Sequence, residues 1–190
     1  FAVGYVLAVL IGTAIGVAMA TSRTLYGLLE PLVEIVRPIP KPALVPVLFL
    51  FLGIGKATMI TLVVLASVFP VLISTFQGVR GLDPVLLETA RTLQVSRART
   101  IISVILPASL PYLVGGVKQG WAFAWRSLMA AEIFVTILTG FGLGQLLHYG
   151  RELHAMDQVV AVIIVIVVIG LVADRSLFSP WENFLRRRWG

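Results

Sequence analysis

Asp83-Pro84-Val85-Leu86-Leu87-Glu88-Thr89-Ala90-Arg91-Thr92-Leu93-Gln94 is a charged stretch set between two long apolar segments. Asp83 is a good N-cap, because its side chain accepts from the free N–H groups that open a helix. Pro84 suits the first helical position, where a missing N–H leaves nothing unpaired. Leu86, Ala90 and Leu93 recur at i, i+4 and i+7 and form one apolar stripe. Glu88 and Arg91 stand three apart on another face, within pairing reach. The pattern predicts a short helix, too short to span a bilayer and too charged to enter lipid. Ser96 is placed to cap a second helix that leads through Arg97 and Arg99 to Leu106-Pro107. A membrane chain that only had to turn around would not need region 83–96. It reads as a handle for something outside the membrane, or more plainly as an interfacial linker.

The surroundings support a membrane reading. The chain has 190 residues, 58% of them hydrophobic and 13% charged; its mean hydropathy is +0.99. Soluble domains carry charge on roughly 25% of residues. Several uncharged runs approach the ~20 residues that cross a bilayer as a helix. The fold class expected is an all-α polytopic membrane protein, one domain over 1–190, with about five membrane segments. These are Phe1 to about Ala20, Pro42 to Ile54, Ala57 to Phe76, Ile101 to Leu138 and Gln158 to Ala173. The second is short, holds Pro46, and is re-entrant if taken alone; it lengthens if Arg37-Pro38-Ile39-Pro40 enters the headgroup region. Gly4, Ala8, Gly12, Gly16 and Ala20 place small residues on one face of the first segment, a pattern that lets helices approach closely. Phe1 stands inside an apolar run with no Met, which suggests a fragment or processed chain.

Lys and Arg set the orientation. Of 15 such residues, eleven fall on one side: Arg23, Arg37, Lys41, Arg80, Arg91, Arg97, Arg99, Arg175, Arg186, Arg187 and Arg188. Lys56 and Arg151 fall on the other, and Lys118 and Arg126 lie within the fourth segment. The rich side is expected to be cytoplasmic, with 174–190 as a basic tail. The net charge of +6 thus has a topological cause, and no soluble basic face for nucleic acid is seen. Cys is absent, so thiolate metal sites and disulfides are excluded.

Two motifs mislead. Gly53-Ile54-Gly55-Lys56-Ala57-Thr58 has part of a phosphate loop, but Leu50 replaces its first Gly and Ala57 its Ser or Thr. It reads as a turn, and no ATP site or other cofactor is expected in this chain. His148 and His154 are six apart, a poor spacing for one helix face, so no metal site is expected and a solvated loop fits better. No nucleophile with a base and an orienting group is readable, and an enzyme is not expected.

The fourth segment carries the candidate path. Lys118, Trp121 and Trp125 recur at i, i+3 and i+7, with Arg126 at the border; Gly116, Gly120 and Ala124 fall on the opposite face. A Lys near mid-membrane costs on the order of 2.5–3.5 kcal/mol on insertion scales and must face protein or a water-filled path. It either lines a pathway for anions or pairs with a carboxylate, such as Glu132 of a neighbouring chain. A channel or secondary transporter with a basic filter at Lys118 and Arg126 is the other functional class, but it leaves 83–94 unexplained.

Glu88-Thr89-Ala90, Gln94, Val104 and Leu106-Pro107 have the spacing of the signature of ABC-importer permeases, which the chain resembles. Thr89, Gln94 and Val104 depart from its Ala, Gly and Ile. Arg37-Pro38-Ile39-Pro40, Val45-Pro46, Gly53-Ile54-Gly55, Gly78-Val79-Arg80, Ala130-Ala131-Glu132 and Gly142-Leu143-Gly144 look like the nitrate, sulfonate and taurine branch. The resemblance implies a type I importer fold in a bacterial cytoplasmic membrane and a further membrane helix upstream. It implies two permease copies, two ATPase subunits that carry ATP and Mg, and an external substrate-binding protein. It makes 83–94 a coupling helix, with Leu86, Glu88, Ala90, Arg91, Leu93 and Gln94 toward the ATPase. Lys118, Trp121, Trp125, Arg126 and Glu132 would line the path. A small anion such as a sulfonate, taurine or nitrate is expected, with a vitamin or pyrimidine precursor as the alternative.

Overall fold

A computed structural model describes residues 1–134 and 142–189. Ten α-helices follow one another, and no strand occurs among the described residues. They are α1 (Ala2–Thr21), α2 (Arg23–Val36), α3 (Val45–Leu52), α4 (Lys56–Arg80) and α5 (Pro84–Thr92). After them come α6 (Arg97–Thr100), α7 (Leu106–Glu132), α8 (Leu143–Glu152), α9 (Met156–Ala173) and α10 (Ser179–Trp189). Four stretches are long and apolar enough to cross a membrane: Ala2–Thr21, Lys56–Arg80, Ala98–Glu132 and Met156–Leu185. A bent pair, Arg23–Val36 and Lys41–Leu52 at 88°, counts as a fifth span if it crosses as one, or as a re-entrant loop.

α4 is the centre of the bundle, with α1 on one side and α7 on another. The small-residue stripe makes the first contact. A Cβ at Gly12 would stand 2.8 Å from the Val68 carbonyl oxygen, and one at Gly16 2.7 Å from that of Leu72. Gly4 meets Ile60 and Val63 in the same way, so α1 and α4 run parallel. α7 runs antiparallel: Gly116 lies against Pro70 and Ser74, and Gly120 against Ser67. Ser67 Oγ donates to Val63 O (2.9 Å) and to Gly120 O (3.3 Å), which satisfies a hydroxyl buried at the crossing. The opposed faces expected of the fourth segment are thus present, with Gly116, Gly120 and Ala124 buried on the packing side.

Several boundaries differ from the sequence reading. Arg23–Val36, read there as a loop, is helical. Ser22 caps it, its side chain accepting from Leu25 N at 3.4 Å. Tyr26 stacks on Phe76 at 5.2 Å, and the Arg80 guanidinium lies over Tyr26 at 4.4 Å. Aromatic stacking and a cation over the ring hold α2 against α4 despite Glu30, Pro31 and Glu34. The short second segment is therefore the far half of this bent pair, Lys41–Leu52. Val45 closes it in a core with Leu62 and Ala131.

The fifth segment does not stop at Ala173. It continues through a π turn, Asp174–Phe178, into α10, so 174–189 is a helix packed along α7 rather than a free tail. The fourth segment starts earlier than expected, at Arg97, and also carries a π turn, Ile101–Ile105. Its expected end at Leu138 lies outside the described residues. Both π turns end two residues before a proline: Leu106 N–H returns to Ile101 O, and Ser179 N–H to Asp174 O. Pro107 and Pro180 have no N–H and would press on the carbonyl four residues back, so the wider turn relieves them.

Candidate functional site: an exposed end helix and a cation-lined cavity

α5 forms as its sequence predicts. Asp83 Oδ1 accepts from Val85 N at 2.9 Å, and Pro84 takes the first turn. The helix also stops where a glycine would stop it. Gln94 adopts φ 52°, Val95 N–H bonds Ala90 O at 3.0 Å, and Gln94 N–H bonds Arg91 O at 2.9 Å. This is a Schellman closure with Gln in the left-handed position. That conformation costs a residue with a Cβ about 1–2 kcal/mol.

α5 sits at the basic end of the bundle, between the exit of α4 and the entry to α7. Leu87 packs with Leu82, Ile101 and Leu106 on the core of Val17, Val79 and Ile105. Ala90 is buried, 5% exposed, so it lies on the inner face and not on the one open to a partner. Leu86, Glu88, Arg91, Leu93 and Gln94 remain exposed. Glu88 and Arg91 form no ion pair among the described residues, and both are exposed. The sequence stripe thus mixes an anchoring residue with outward ones, and Leu87 is the anchor it omitted.

The five candidate path residues separate into three places. Lys118 Nζ pairs with Asp174 at 2.8 Å and Glu182 at 3.4 Å, all within the chain. Asp174, in the π turn after α9, and Glu182, on α10, are acids that the sequence reading had placed in a tail. Trp121 and Trp125 pack beside Phe1, at 4.7 and 6.2 Å between ring centres. Tyr5 and Phe178 complete the Trp121 surround. Tyr5 donates to Val117 O at 2.6 Å. The Trp125 indole N–H is buried with no partner among the described residues.

Glu132 is buried and accepts from Gly144 N at 2.9 Å. Its carboxylate thereby sits at the opening of α8, where free N–H groups and the helix dipole favour negative charge. Gly144 lies so close to Met129 and Glu132 that a side chain there would collide.

Arg126 alone of the five borders a cavity of about 500 Å³. Its other cations are Arg37 and Lys41, with Ser74, Gln77 and Gln119 among the polar groups. The sequence count had placed Arg37 and Lys41 at the cytoplasmic side or in the headgroups. The structure puts Lys41 beside the middle of α4: its Nζ is 4.7 Å from the centre of the Phe69 ring. Phe69 is the fourteenth of the 25 residues of α4, the middle of the span. Lys41 also donates to Val36 O at 2.7 Å, closing the end of α2. Arg126 Nε donates to Ala122 O at 3.0 Å, and its guanidinium lies over Phe123 at 4.9 Å. Proline at 38, 40 and 42 was the available signal: a run that no straight helix tolerates, at the bend of the pair.

The remaining motifs fall at turns and helix ends. The false phosphate loop is the turn between α3 and α4, tied by Thr58 Oγ1 to Gly53 O at 2.6 Å. His148 lies 3.2 Å from Glu152 on α8, and His154 closes that helix at φ 56°.

Comparison with known proteins fits this geometry. Residues 8–178 match the family described as binding-protein-dependent transport system inner membrane component. A putative ABC transporter permease of Methanocaldococcus jannaschii is 38% identical over 189 residues, 96% of this chain and 70% of that protein. The taurine transport system permease protein TauC of Escherichia coli is 37% identical, covering 93% of this chain and 65% of its own length. The Bacillus subtilis protein named as a putative aliphatic sulfonates transport permease, SsuC, is 33% identical over 91% of this chain and 62% of its own. The chain thus spans roughly two thirds of these relatives. In structure it matches a chain of the MetNI methionine ABC transporter, inward facing, with a TM-score of 0.72 at 16% identity. That match covers 97% of this chain and 91% of the other, and it bears out the type I importer fold.

Proposed function

From a chain that belongs to the binding-protein-dependent transport system inner membrane component family, we propose the permease of an ATP-driven importer for a small solute with an oxoanion group. The relatives named for taurine, aliphatic sulfonates and bicarbonate support that solute class. The basic end faces the cytoplasm: with Arg37 and Lys41 set aside, the sequence still assigns nine cations to it against Lys56 and Arg151. The membrane is the cytoplasmic membrane. Residues 1–190 act as one transmembrane domain, in two copies. Two ATPase subunits carry ATP and Mg, and an external binding protein delivers the solute. The permease itself makes and breaks no bonds.

The observation that carries this reading is α5. It is a fully capped helix, anchored by Leu87 and Ala90 to the ends of α4 and α7, with a charged face left open. An ATPase holding that face moves both spans through one rigid lever, so ATP-driven closure reaches the path as a rigid-body shift. A channel would leave such a lever without a task.

Glu88→Arg tests it. Glu88 is exposed and forms no ion pair among the described residues, so the variant should fold with an unchanged melting temperature. Reversing a contact charge should lower ATPase recovery with the tagged permease, and uptake, about tenfold, a loss near 1.4 kcal/mol. Full uptake with normal ATPase recovery would remove the lever.

A further inference from the structure

We propose that the bent pair and α7 form an anion-holding site inside the permease, taking the oxoanion head of the solute between Arg37, Lys41 and Arg126. This rests on the permease reading and adds a binding site in this chain, beyond any in a separate binding protein.

The charge is the first support. Three cations line one cavity of about 500 Å³, and no Asp or Glu lines it among the described residues. None of the three forms an ion pair among the described residues. Lys118 shows the contrast, because its charge is matched by Asp174 and Glu182. Cations at membrane depth face a water-filled path or a partner, and they mark solute pathways.

The backbone is the second support. Residues 37–40 leave the helix beside the middle of α4, with Lys41 over Phe69. Open backbone at membrane depth is tolerated where protein buries it or where it lines a cavity. Interrupted spans of this kind hold solute in transporters by that physics.

The third support is how the donors are held. Lys41 donates to Val36 O and, at 3.5 Å, to Arg37 O, which leaves a third N–H for a ligand. Arg126 spends Nε on Ala122 O, which fixes the guanidinium and leaves its terminal nitrogens available. A planar fork held in this way suits a tetrahedral or planar oxoanion. Gln119, Gln77 and Ser74 add neutral donors around the same space. The volume lies within the range of small-molecule sites, roughly 300–1,000 Å³.

The test is thermal protection of the purified protein, with whatever subunits accompany it, in phosphatidylcholine nanodiscs. Ethanesulfonate, sulfate and bicarbonate are the probes, and choline is the control. The oxoanions should raise the melting temperature saturably, and choline should not. Lys41→Gln and Arg126→Gln should each weaken the apparent affinity about tenfold, while Arg126→Lys should restore most of it. Lys118→Gln should leave affinity unchanged. Absence of protection by every oxoanion, or equal protection of the Gln variants, overturns the site. Protection that needs phosphatidylglycerol and no soluble anion also overturns it, assigning the cavity to a lipid headgroup. ATPase recovery is read on the same preparation: its absence counts against the permease reading, whereas absent protection counts against the site alone.

Discussion

Lys118 and Arg126 lie on one helix, two turns apart, and the fold treats them in opposite ways. Lys118 is closed into a cluster with Asp174 and Glu182. Arg126 points into a cavity with Arg37 and Lys41 and meets no acid among the described residues. The difference teaches that a cation in a span has two roles that sequence position alone does not separate. Compensated, it ties two helices together. Uncompensated and beside water, it is a place for a mobile anion. The energetics differ accordingly, since removing a paired charge strands its partners, whereas removing an unpaired one strands nothing.

Lys118→Glu should therefore have the largest effect on stability. It gathers three carboxylates between α7 and the helix after α9. The cluster is partly exposed, with side chains 35–41% accessible, so screening limits the loss. A loss on the order of 2 kcal/mol and a melting point lower by several degrees are expected. A melting curve like that of the unaltered protein would break the comparison. Lys118→Met should cost less, on the order of 1 kcal/mol, because only the attraction is lost. Adding Asp174→Asn with Glu182→Gln should recover most of it, which a denaturation series on the four proteins reads directly. If the triple variant is no more stable than Lys118→Met alone, the ion pairs do not tie these helices. The smallest stability effect is expected from Arg126→Gln, within about 0.5 kcal/mol, because Arg126 is exposed and bonds only a backbone carbonyl. A large drop in its melting temperature would place Arg126 with Lys118 as a structural cation.

The two regions also differ in how far the chain announces them. Region 83–96 was legible because capping is local: Asp83, Pro84 and the spacing of Leu86 and Ala90 act within one or two turns. Its end was open, since Gln94 stands where a glycine is usual. The left-handed turn forms anyway, held by the Ala90 and Arg91 carbonyls. The bent pair was not legible. Glu30, Pro31 and Glu34 suggest a loop, and Arg37 and Lys41 look like topological charges. What holds 23–52 in the bundle is packing against residues far along the chain, Tyr26 on Phe76 and Val45 on Leu62. Hydropathy windows sense neither contact.

By itself, the sequence determined that this protein is a polytopic helical membrane chain with a basic end and a capped helix standing there. Composition, charge bias and capping settle these, because each acts through the solvent or through neighbours in the chain. The small-residue faces of α1 and α7 were equally plain, since close approach requires them wherever the helices cross. Only the tertiary structure decided which cations are matched. Asp174 and Glu182 reach Lys118 because the helix of α9 continues past Ala173, and Lys41 reaches Phe69 because the turn at 41–44 packs against α4 and α7. Pairing depends on distances of a few ångströms between residues remote in sequence, and it is set only when the helices are packed.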